Sequence, residues 1–318
     1  MKDLFLNCID FTEKDGWYTL RRFTDKQYAA FRNESDAARI RSLASSSCIL
    51  AFHSSAKKIS IEYRLGERAR DWASFDLVID GILTETVEVT SPSGVVGFDL
   101  PGEECKEIHI YLPHLICVDI KAPEADAPLL PIQKKRKLWL ALGDSITQGM
   151  VAIRPSSAYP SGVSEFYGCE VINQGVGGIK FESSELDFIG REPDLITVAL
   201  GCNDWGSCPI PMLKSKVNEY MKKLLSLYRT KEIYAILPIW RSDDVCESKE
   251  LTFSEHIELL RSVIMEYPRV KIIDGYRLLP HTTAIYNDPS VGQIHPNDEG
   301  FLLYSLALSR HLPKNVLN

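Results

Sequence analysis

The sequence lacks the features that mark several common protein classes. Its cysteines form no Cys-x-x-Cys pair, so we expect neither disulfides nor a zinc site, and a reducing cytoplasm as the compartment. No apolar run approaches the roughly 18 to 20 residues that a membrane span needs. The first residues, Met1 to Asp10, do not have the pattern of a secretory signal peptide. The scattered cysteines are Cys8, Cys48, Cys105, Cys117, Cys169, Cys202, Cys208 and Cys246.

The chain also lacks an excess of positive charge. It has 36 Lys and Arg against 43 Asp and Glu, a net charge of −7, and both sides of a cut near residue 136 are acidic. Without a basic stripe, nucleic acid is not an expected partner. A hydrophobic content of 45% with 25% charged residues is typical of a globular protein and excludes a disordered, collagen-like or coiled-coil chain. The 318 residues favour two domains.

The first 130 or so residues have the pattern of an all-β domain. Short runs with alternating or continuous apolar residues recur about every ten residues, separated by turn signals such as Asp80-Gly81 and Pro101-Gly102. This spacing predicts a β-sandwich of jelly-roll type. Residues 25–43 fit either an early helix or an irregular crossing. The predicted strands are 59–65, 75–79, 86–90, 95–100, 107–112 and 116–120.

The pattern changes after a segment rich in proline and charge that ends in Lys134-Lys135-Arg136 and is either an interdomain linker or an extended crossing segment. Short apolar runs now alternate with stretches that are compatible with helices, and this alternation predicts parallel βαβ units in a three-layer α/β/α domain. We therefore predict a β-sandwich domain at 1–130 and an α/β domain at 131–318. The predicted strands are 138–142, 170–173, 195–200, 233–237 and 270–273, and the predicted helices are 156–168, 210–229, 253–266 and 297–311.

Four loops of this second half contain the residue types that acyl transfer needs. The first three follow predicted strands, and the fourth precedes the last helix. Together they offer a serine, a histidine, flexible backbone amides and a side-chain amide, which can serve as nucleophile, base and oxyanion donors. Because reactive groups gather at the carboxyl ends of parallel strands, we expect the loops to meet. They are Gly143-Asp144-Ser145-Ile146-Thr147, Asn173 to Gly178, Gly201-Cys202-Asn203-Asp204 and Gly292 to Asn297.

These four blocks, in this order, resemble the SGNH or GDSL-type hydrolases over residues 137–318. The resemblance implies a flavodoxin-like domain in which Ser145 attacks an ester carbonyl and His295 acts as general base. It further implies an oxyanion hole formed by the backbone N–H groups of Ser145 and Gly178 and the side-chain amide of Asn203. No metal or cofactor is expected.

The chain departs from the family pattern at one position. The family places an aspartate three residues before the histidine, where this sequence has Gly292. Either Asp288 orients His295 from an altered loop, or a backbone carbonyl does so in a Ser-His dyad, which is the favoured alternative. Loss of activity is the third possibility.

The first half has a weaker resemblance to the sandwich that precedes the catalytic domain in two-domain carbohydrate esterases. Some of these have a Gly-x-Asp-Leu-Tyr signature, of which Ser74 to Val78 keeps only Asp76 and Leu77. Such a sandwich would form one wall of the cleft or simply dock. Further substrate contacts are expected from residues that could rim the site, namely Asp144, Tyr159, Trp205, Trp240 and Arg241.

These observations predict an esterase that deacetylates a carbohydrate or another small polar acyl ester through an acyl-enzyme on Ser145. The oligomeric state is left open. Two alternatives remain. One is an acyltransferase with the same chemistry, and the other is a carbohydrate-binding protein whose hydrolase domain is degenerate, for which Gly292 is the supporting feature.

Overall fold

The computed structural model describes residues 1–132, 136–287 and 293–317. The strands are β1 (Phe5–Leu6), β2 (Asp10–Lys14), β3 (Trp17–Arg21), β4 (Ile49–Ser54), β5 (Lys58–Arg68), β6 (Ser74–Ile79), β7 (Ile82–Glu88), β8 (Ser93–Asp99), β9 (Lys106–Tyr111), β10 (Ile116–Ile120), β11 (Glu124–Ala125), β12 (Leu130–Pro131), β13 (Leu138–Gly143), β14 (Glu170–Gly175), β15 (Leu195–Ala199), β16 (Ile233–Ile236) and β17 (Val270–Ile273).

The α-helices are α1 (Asp25–Glu34), α2 (Asp36–Leu43), α3 (Ser145–Gln148), α4 (Tyr159–Tyr167), α5 (Ile210–Leu227), α6 (Phe253–Ile264), α7 (Asp298–Ser309) and α8 (Lys314–Leu317). Short 3₁₀ helices lie at Lys2–Leu4, Pro155–Ser157, Ser183–Glu185, Gly275–Arg277 and Thr283–Ile285.

The N-terminal strands form two antiparallel sheets that pack face to face. One has the order β1-β4-β9-β6-β7 with β12 beside β4, and the other has the order β11-β5-β10-β3-β2 with β8 beside β5. Their inner faces share one apolar core, in which Phe52 and Phe75 of the first sheet meet Ile61 and Phe98 of the second. The alternation along β5 arises because the second sheet buries mainly one face, whereas β4, β6 and β9 of the first sheet are buried along almost their whole length.

The parallel sheet of the second half has the order β14-β13-β15-β16-β17. On β13, Leu140 and Leu142 face a core shared with α5 and α6, whereas Trp139 and Ala141 face a core shared with α4 and α7. Successive side chains of a strand point to opposite faces, so helices on both faces require the continuous apolar run that β13 has. The predicted fold class, a β-sandwich followed by a three-layer α/β/α domain, is confirmed.

The strand order determines where a site can form. The chain proceeds from β13 outward to β14, then returns to the other side of β13 for β15. In this flavodoxin-like order, the loops after β13 and β15 leave in opposite directions and open a crevice at the carboxyl ends of the strands. The loops with Ser145 and Asn203 follow these two strands.

Residues 25–43, for which the sequence left two interpretations, form α1 and α2. A capping box begins α1, since Thr24 and Gln27 exchange side-chain to backbone hydrogen bonds. Both helices pack on the α/β half, where Phe31 and Ala38 join the core beneath α5 and α6. This part of the N-terminal region therefore does not belong to the sandwich core.

Two polar clusters join the sandwich to the α/β half. Asp76 of β6 accepts hydrogen bonds from the backbone N–H (2.8 Å) and hydroxyl (2.6 Å) of Ser156. His109 of β9 lies 2.7 Å from Glu165 of α4 through its Nδ1. Burial opposes protonation of His109, but hydrogen bonds to Glu107 and Glu165 raise its pKa to about 9.

The boundary between the two predicted domains, at residues 130 and 131, remains a prediction. Strand β12, which spans these two residues, pairs with β4 of the sandwich.

Candidate active site

The candidate nucleophile lies on a sharp turn between β13 and α3. The turn needs glycine at 143, because a Cβ there would lie 2.0 Å from Thr147 Oγ1 and 2.9 Å from the carbonyl oxygen of Ala199. Asp144 caps the short helix by accepting a hydrogen bond from the backbone N–H of Ile146 at 3.0 Å. Ser145 follows at the first helical position, with 7% of its surface exposed.

The candidate base approaches from the other end of the chain. His295 Nε2 lies 2.8 Å from Ser145 Oγ, across 150 positions of sequence. The backbone around it is held by a bridge between Tyr286 and Pro296 and by a hydrogen bond from the Asn287 N–H to the His295 carbonyl at 3.2 Å. The structure thus brings together the two residues whose pairing makes a serine nucleophilic. Asp288 and Gly292 lie outside the described residues.

The expected oxyanion donors are also at this edge of the sheet. Gly178, in the loop after β14, has φ of +86°, a conformation that favours glycine. Asn203, in the loop after β15, donates from Nδ2 to the Ile179 carbonyl at 3.0 Å and lies 3.5 Å from Asp144 Oδ2. The hydrogen bond to the Ile179 carbonyl holds the Asn203 amide beside the loop from Gly175 to Gly178, called the glycine loop below. The same Nδ2 lies near Asp144.

Two buried carboxyl groups lie beneath the site. Burial, with a contribution from negative Asp204, raises the pKa of Asp144 to about 7. Burial also raises the pKa of Asp204 to about 6, although the Phe181 N–H donates to it. Both side chains are almost fully buried, and their observed bonds hold the turn of Ser145 and the segment after Gly178.

The other predicted substrate contacts occupy different environments. Tyr159 is fully buried and shares a hydrogen bond with Thr147 at 2.9 Å, so it supports the helix that begins at Ser145. Trp205 is buried and donates to the Leu251 carbonyl at 2.8 Å. Arg241 lies over the Trp205 ring and pairs with Asp243. Trp240 is half-buried and stacks on His281. Their roles in substrate binding remain predictions.

Two arginines that reach the candidate site from the N-terminal region were not predicted from the sequence. Arg22, which is fully buried, donates to the carbonyls of Asn173 and Gly175 at the end of β14. Arg41 of α2 donates to the Gly177 carbonyl at 2.8 Å. More than 130 positions separate these arginines from their partners. A local pattern therefore could not reveal the contacts.

Neither a metal site nor a membrane segment is found in the part of the chain that the structure describes. No group of three or more His, Cys, Asp or Glu side chains there is placed to hold a metal ion. Among the same residues, no helix combines the length and apolarity needed to cross a bilayer.

Comparison with known families identifies the second half of the chain. The model of the GDSL-like lipase/acylhydrolase family matches residues 141–303, a span that begins in β13 and ends in α7. The chain belongs to this family. A search of curated proteins found no match. The matched span includes all four loops that form the candidate site, so this GDSL-family protein has a hydrolase or acyltransferase fold.

Solved structures extend the likeness of this GDSL-family chain to the sandwich. A salicylyl-acyltransferase from a tetracycline biosynthetic pathway superposes with a TM-score of 0.81 at 17% identity, covering 96% of this chain and 92% of the other. A protein from Bacteroides ovatus ATCC 8483 described as a GDSL-like lipase gives 0.74 at 18% identity (99% and 95% covered). An acetyl xylan esterase from the rumen bacterium Butyrivibrio proteoclasticus gives 0.63 at 14% identity (85% and 89% covered).

Proposed function

We propose that the protein is a serine esterase that hydrolyses carboxylic esters through an acyl-enzyme on Ser145. The observation that carries the proposal is the 2.8 Å separation between His295 Nε2 and Ser145 Oγ at the carboxyl edge of a parallel sheet. A histidine at hydrogen-bond distance can remove the serine proton as the hydroxyl attacks, which is the basis of nucleophilic catalysis by serine.

The proposed reaction has two steps. Ser145 Oγ adds to the ester carbonyl while His295 takes its proton. The negative oxygen is held by the N–H groups of Ser145, Gly178 and Asn203. Collapse of this intermediate breaks the bond to the alcohol, which receives the proton from His295. A water molecule then attacks the acyl group on Ser145 while His295 accepts its proton. The bond between Ser145 Oγ and the acyl group breaks, Oγ takes the proton back from His295, and the carboxylic acid leaves.

For the group that orients His295, we retain both alternatives. If Asp288 is the orienting acid, Asp288→Asn should lower kcat by about 10⁴, the effect of losing a triad aspartate. If a backbone carbonyl takes this role, kcat should stay within about threefold of wild type. Single-turnover and steady-state rates on one ester distinguish the alternatives.

The substrate we propose is an acetylated carbohydrate or another small polar ester. Support comes from fold likeness to an acetyl xylan esterase that spans both halves of the chain. The test measures p-nitrophenol release from p-nitrophenyl acetate by wild type, Ser145→Ala and the control Ser262→Ala, an exposed serine of α6. Turnover should disappear only in Ser145→Ala. Equal rates in the three proteins would contradict the proposal.

An acyltransferase is the second candidate, because the salicylyl-acyltransferase fold covers 96% of the chain with a TM-score of 0.81. The same acyl-enzyme would then pass its acyl group to a hydroxyl or amine. Product analysis in the presence of competing alcohols separates the two activities, since a hydrolase releases mainly the free acid. Labelling of Ser145 by a fluorophosphonate would exclude the third alternative, a degenerate carbohydrate-binding protein.

A further inference from the structure

The cationic side chain of Arg41 lies beside the expected oxyanion hole. Arg41 reaches over the glycine loop after β14, where its Nη1 donates to the Gly177 carbonyl at 2.8 Å. A Cβ built on Gly178 would lie 2.9 Å from the same nitrogen. The guanidinium is therefore in contact with the loop that would hold the reacting carbonyl oxygen.

The position of Arg41 is fixed by the nucleophile helix itself. Gln148 of α3 donates from Nε2 to the Arg41 carbonyl at 2.8 Å and accepts a hydrogen bond from the Gly177 N–H at 2.7 Å. One side chain thus connects α2, the glycine loop and the helix that begins at Ser145. A charge held in this way is preorganised toward a substrate in the site.

Among the residues that the structure describes, Arg41 has no carboxylate partner. Within residues 1–132, 136–287 and 293–317 it forms no ion pair, and its Nε and Nη2 make no hydrogen bond. Arg39, two positions earlier on the same helix, pairs with both Asp36 and Glu67. In a chain with a net charge of −7, a half-buried arginine that has no counter-ion among the described residues and lies beside Gly177 and Gly178 is an unusual arrangement.

A second arginine increases the positive charge. Burial first, and then the charge of Arg70, lower the pKa of Arg41. Arg70, on the sandwich loop after β5, also forms no ion pair in the described part of the chain and donates only to the Ala69 carbonyl at 3.1 Å. Trp72 and Ser74 fix this loop to the segment after α3 by donating to the carbonyls of Ala152 and Ile153.

We propose that Arg41, supported by Arg70, binds an anionic group of the ester substrate, such as a carboxylate, on the side of the glycine loop. The inference rests on the proposed function of Ser145. Guanidinium groups bind carboxylates through paired, charge-assisted hydrogen bonds, and the free Nε and Nη2 of Arg41 supply the donors. An anion here would also relieve the repulsion between the two arginines. The N-terminal region would then determine specificity while the α/β half performs the chemistry.

The test uses two pairs of esters that differ only in charge. For the alcohol side of the ester, 4-acetoxybenzoate is compared with its methyl ester; for the acyl side, 4-nitrophenyl 4-carboxybenzoate is compared with its methyl ester. The measured quantity is the ratio of kcat/KM for the anionic ester to that for the neutral ester. Because this ratio is compared between wild type and each variant, differences in the intrinsic reactivity of the esters cancel. The pair that responds identifies which side of the ester carries the anion.

In at least one pair the ratio should fall about 10-fold to 100-fold in Arg41→Gln, since hydrogen bonds to charged groups contribute about 1.5–3 kcal/mol. Arg41→Lys should retain part of the preference, and Arg70→Gln should show a smaller fall. The control Arg310→Gln, an exposed residue just beyond the far end of α7, should leave the ratio unchanged. Salt should lower the ratio in wild type more than in Arg41→Gln.

Two other outcomes would contradict either the anion site or the proposed esterase function. Equal losses for the anionic and neutral esters in Arg41→Gln would mean that Arg41 only supports the glycine loop, and would overturn the anion site while leaving the esterase intact. Absence of turnover of all four esters by wild type would overturn the proposed function, and the anion site with it.

Discussion

The two halves of the chain use strands in different ways. The sandwich strands are antiparallel, and β5 alternates buried with half-buried or exposed side chains over residues 58–64, although β6 is buried throughout. The strands of the α/β half are parallel, and every residue of β13 and β14 is buried. Antiparallel strands end alternately at opposite edges of a sheet, but parallel strands all end at the same edge. The polar loops of the α/β half therefore meet in space, which explains why the candidate catalytic residues are confined to that half.

The division is not complete, because the N-terminal region reaches the site through Arg22 and Arg41. Neither residue belongs to the sandwich core; Arg22 follows β3 and Arg41 lies on α2. The segment between β3 and β4 therefore contacts the candidate active site, although it lies between two sandwich strands in the sequence.

The largest effect is expected at His295, where the α/β half would lose its general base. His295→Ala should lower kcat by about 10⁴ or more, comparable to the loss of a catalytic serine or histidine elsewhere. Thermal unfolding should change little because the side chain is partly exposed. Steady-state kinetics on p-nitrophenyl acetate provides the measurement, and exposed His311→Ala the control. A decrease below tenfold would remove His295 from the mechanism.

The second prediction concerns Arg22 and tests whether the N-terminal segment is structurally part of the α/β half. Its guanidinium donates to backbone carbonyls on both sides of the junction, including Ala44 at 2.7 Å and Gly175 at 3.1 Å. Arg22→Leu would leave these oxygens unsatisfied and should lower the free energy of unfolding by about 3 kcal/mol or more. Urea denaturation measures this free energy of unfolding.

Arg32→Leu, on the exposed face of α1, is the matched control for that experiment and should change the free energy of unfolding by less than about 0.5 kcal/mol. If Arg22→Leu behaves like this control, the contact across the junction does not stabilise the fold.

The third prediction concerns Asn203 and the oxyanion hole. Asn203→Ala removes one donor and should lower kcat by about 10²–10³, with a much smaller change in KM. The free energy of unfolding should fall by about 1 kcal/mol, because the bond to the Ile179 carbonyl is also lost. Full activity of Asn203→Ala would show that the oxyanion is held by backbone N–H groups without it.

The smallest effect on catalysis is expected at Glu185, where α1 contacts the α/β half through a hydrogen bond from Gln27 to the Glu185 carbonyl. Burial, with repulsion from Glu34 and Glu182, raises the pKa of Glu185 to about 8. The folded protein thus holds a proton that the unfolded chain loses above about pH 4.5. This group lowers stability as the pH rises from about 4.5 to 8.

Glu185→Gln should therefore gain stability relative to wild type as the pH rises from 5 to 8, by up to about 1.4 kcal/mol for each pH unit. Thermal unfolding across this range provides the measurement, with exposed Glu266→Gln as the control. A difference that is constant with pH would contradict the protonated state of Glu185.

Much of the fold and of the candidate site could be predicted from local sequence. The apolar runs at β13 to β17 and the turn signals of the sandwich indicated the correct fold class because burial dictates periodicity. The order of the four polar loops identified the family. The helices α1 and α2 could also have been predicted, since Thr24 and Gln27 have capping-box spacing and Ser35 caps the second helix.

The contacts across the junction could not be predicted in this way. Nothing near Arg41 in the sequence indicates Gly177, its partner 136 positions away. The same holds for the placement of Tyr159 and Trp205, because a loop aromatic near a strand end can face either the cleft or the core. Packing against distant elements decides this, and local periodicity does not encode it.

The sequence by itself thus determined the residue types, their order and the strands that precede them. The tertiary structure alone decided that His295 meets Ser145 and that Arg41, which has no ion-pair partner among the described residues, lies beside Gly178. The physical reason is that periodicity and turn chemistry are local properties, whereas a hydrogen bond between distant residues exists only after the sheet has brought strand ends to a common edge. The absence of a basic stripe correctly described the average charge, but the local positive charge at Arg41 and Arg70 emerged only from folding.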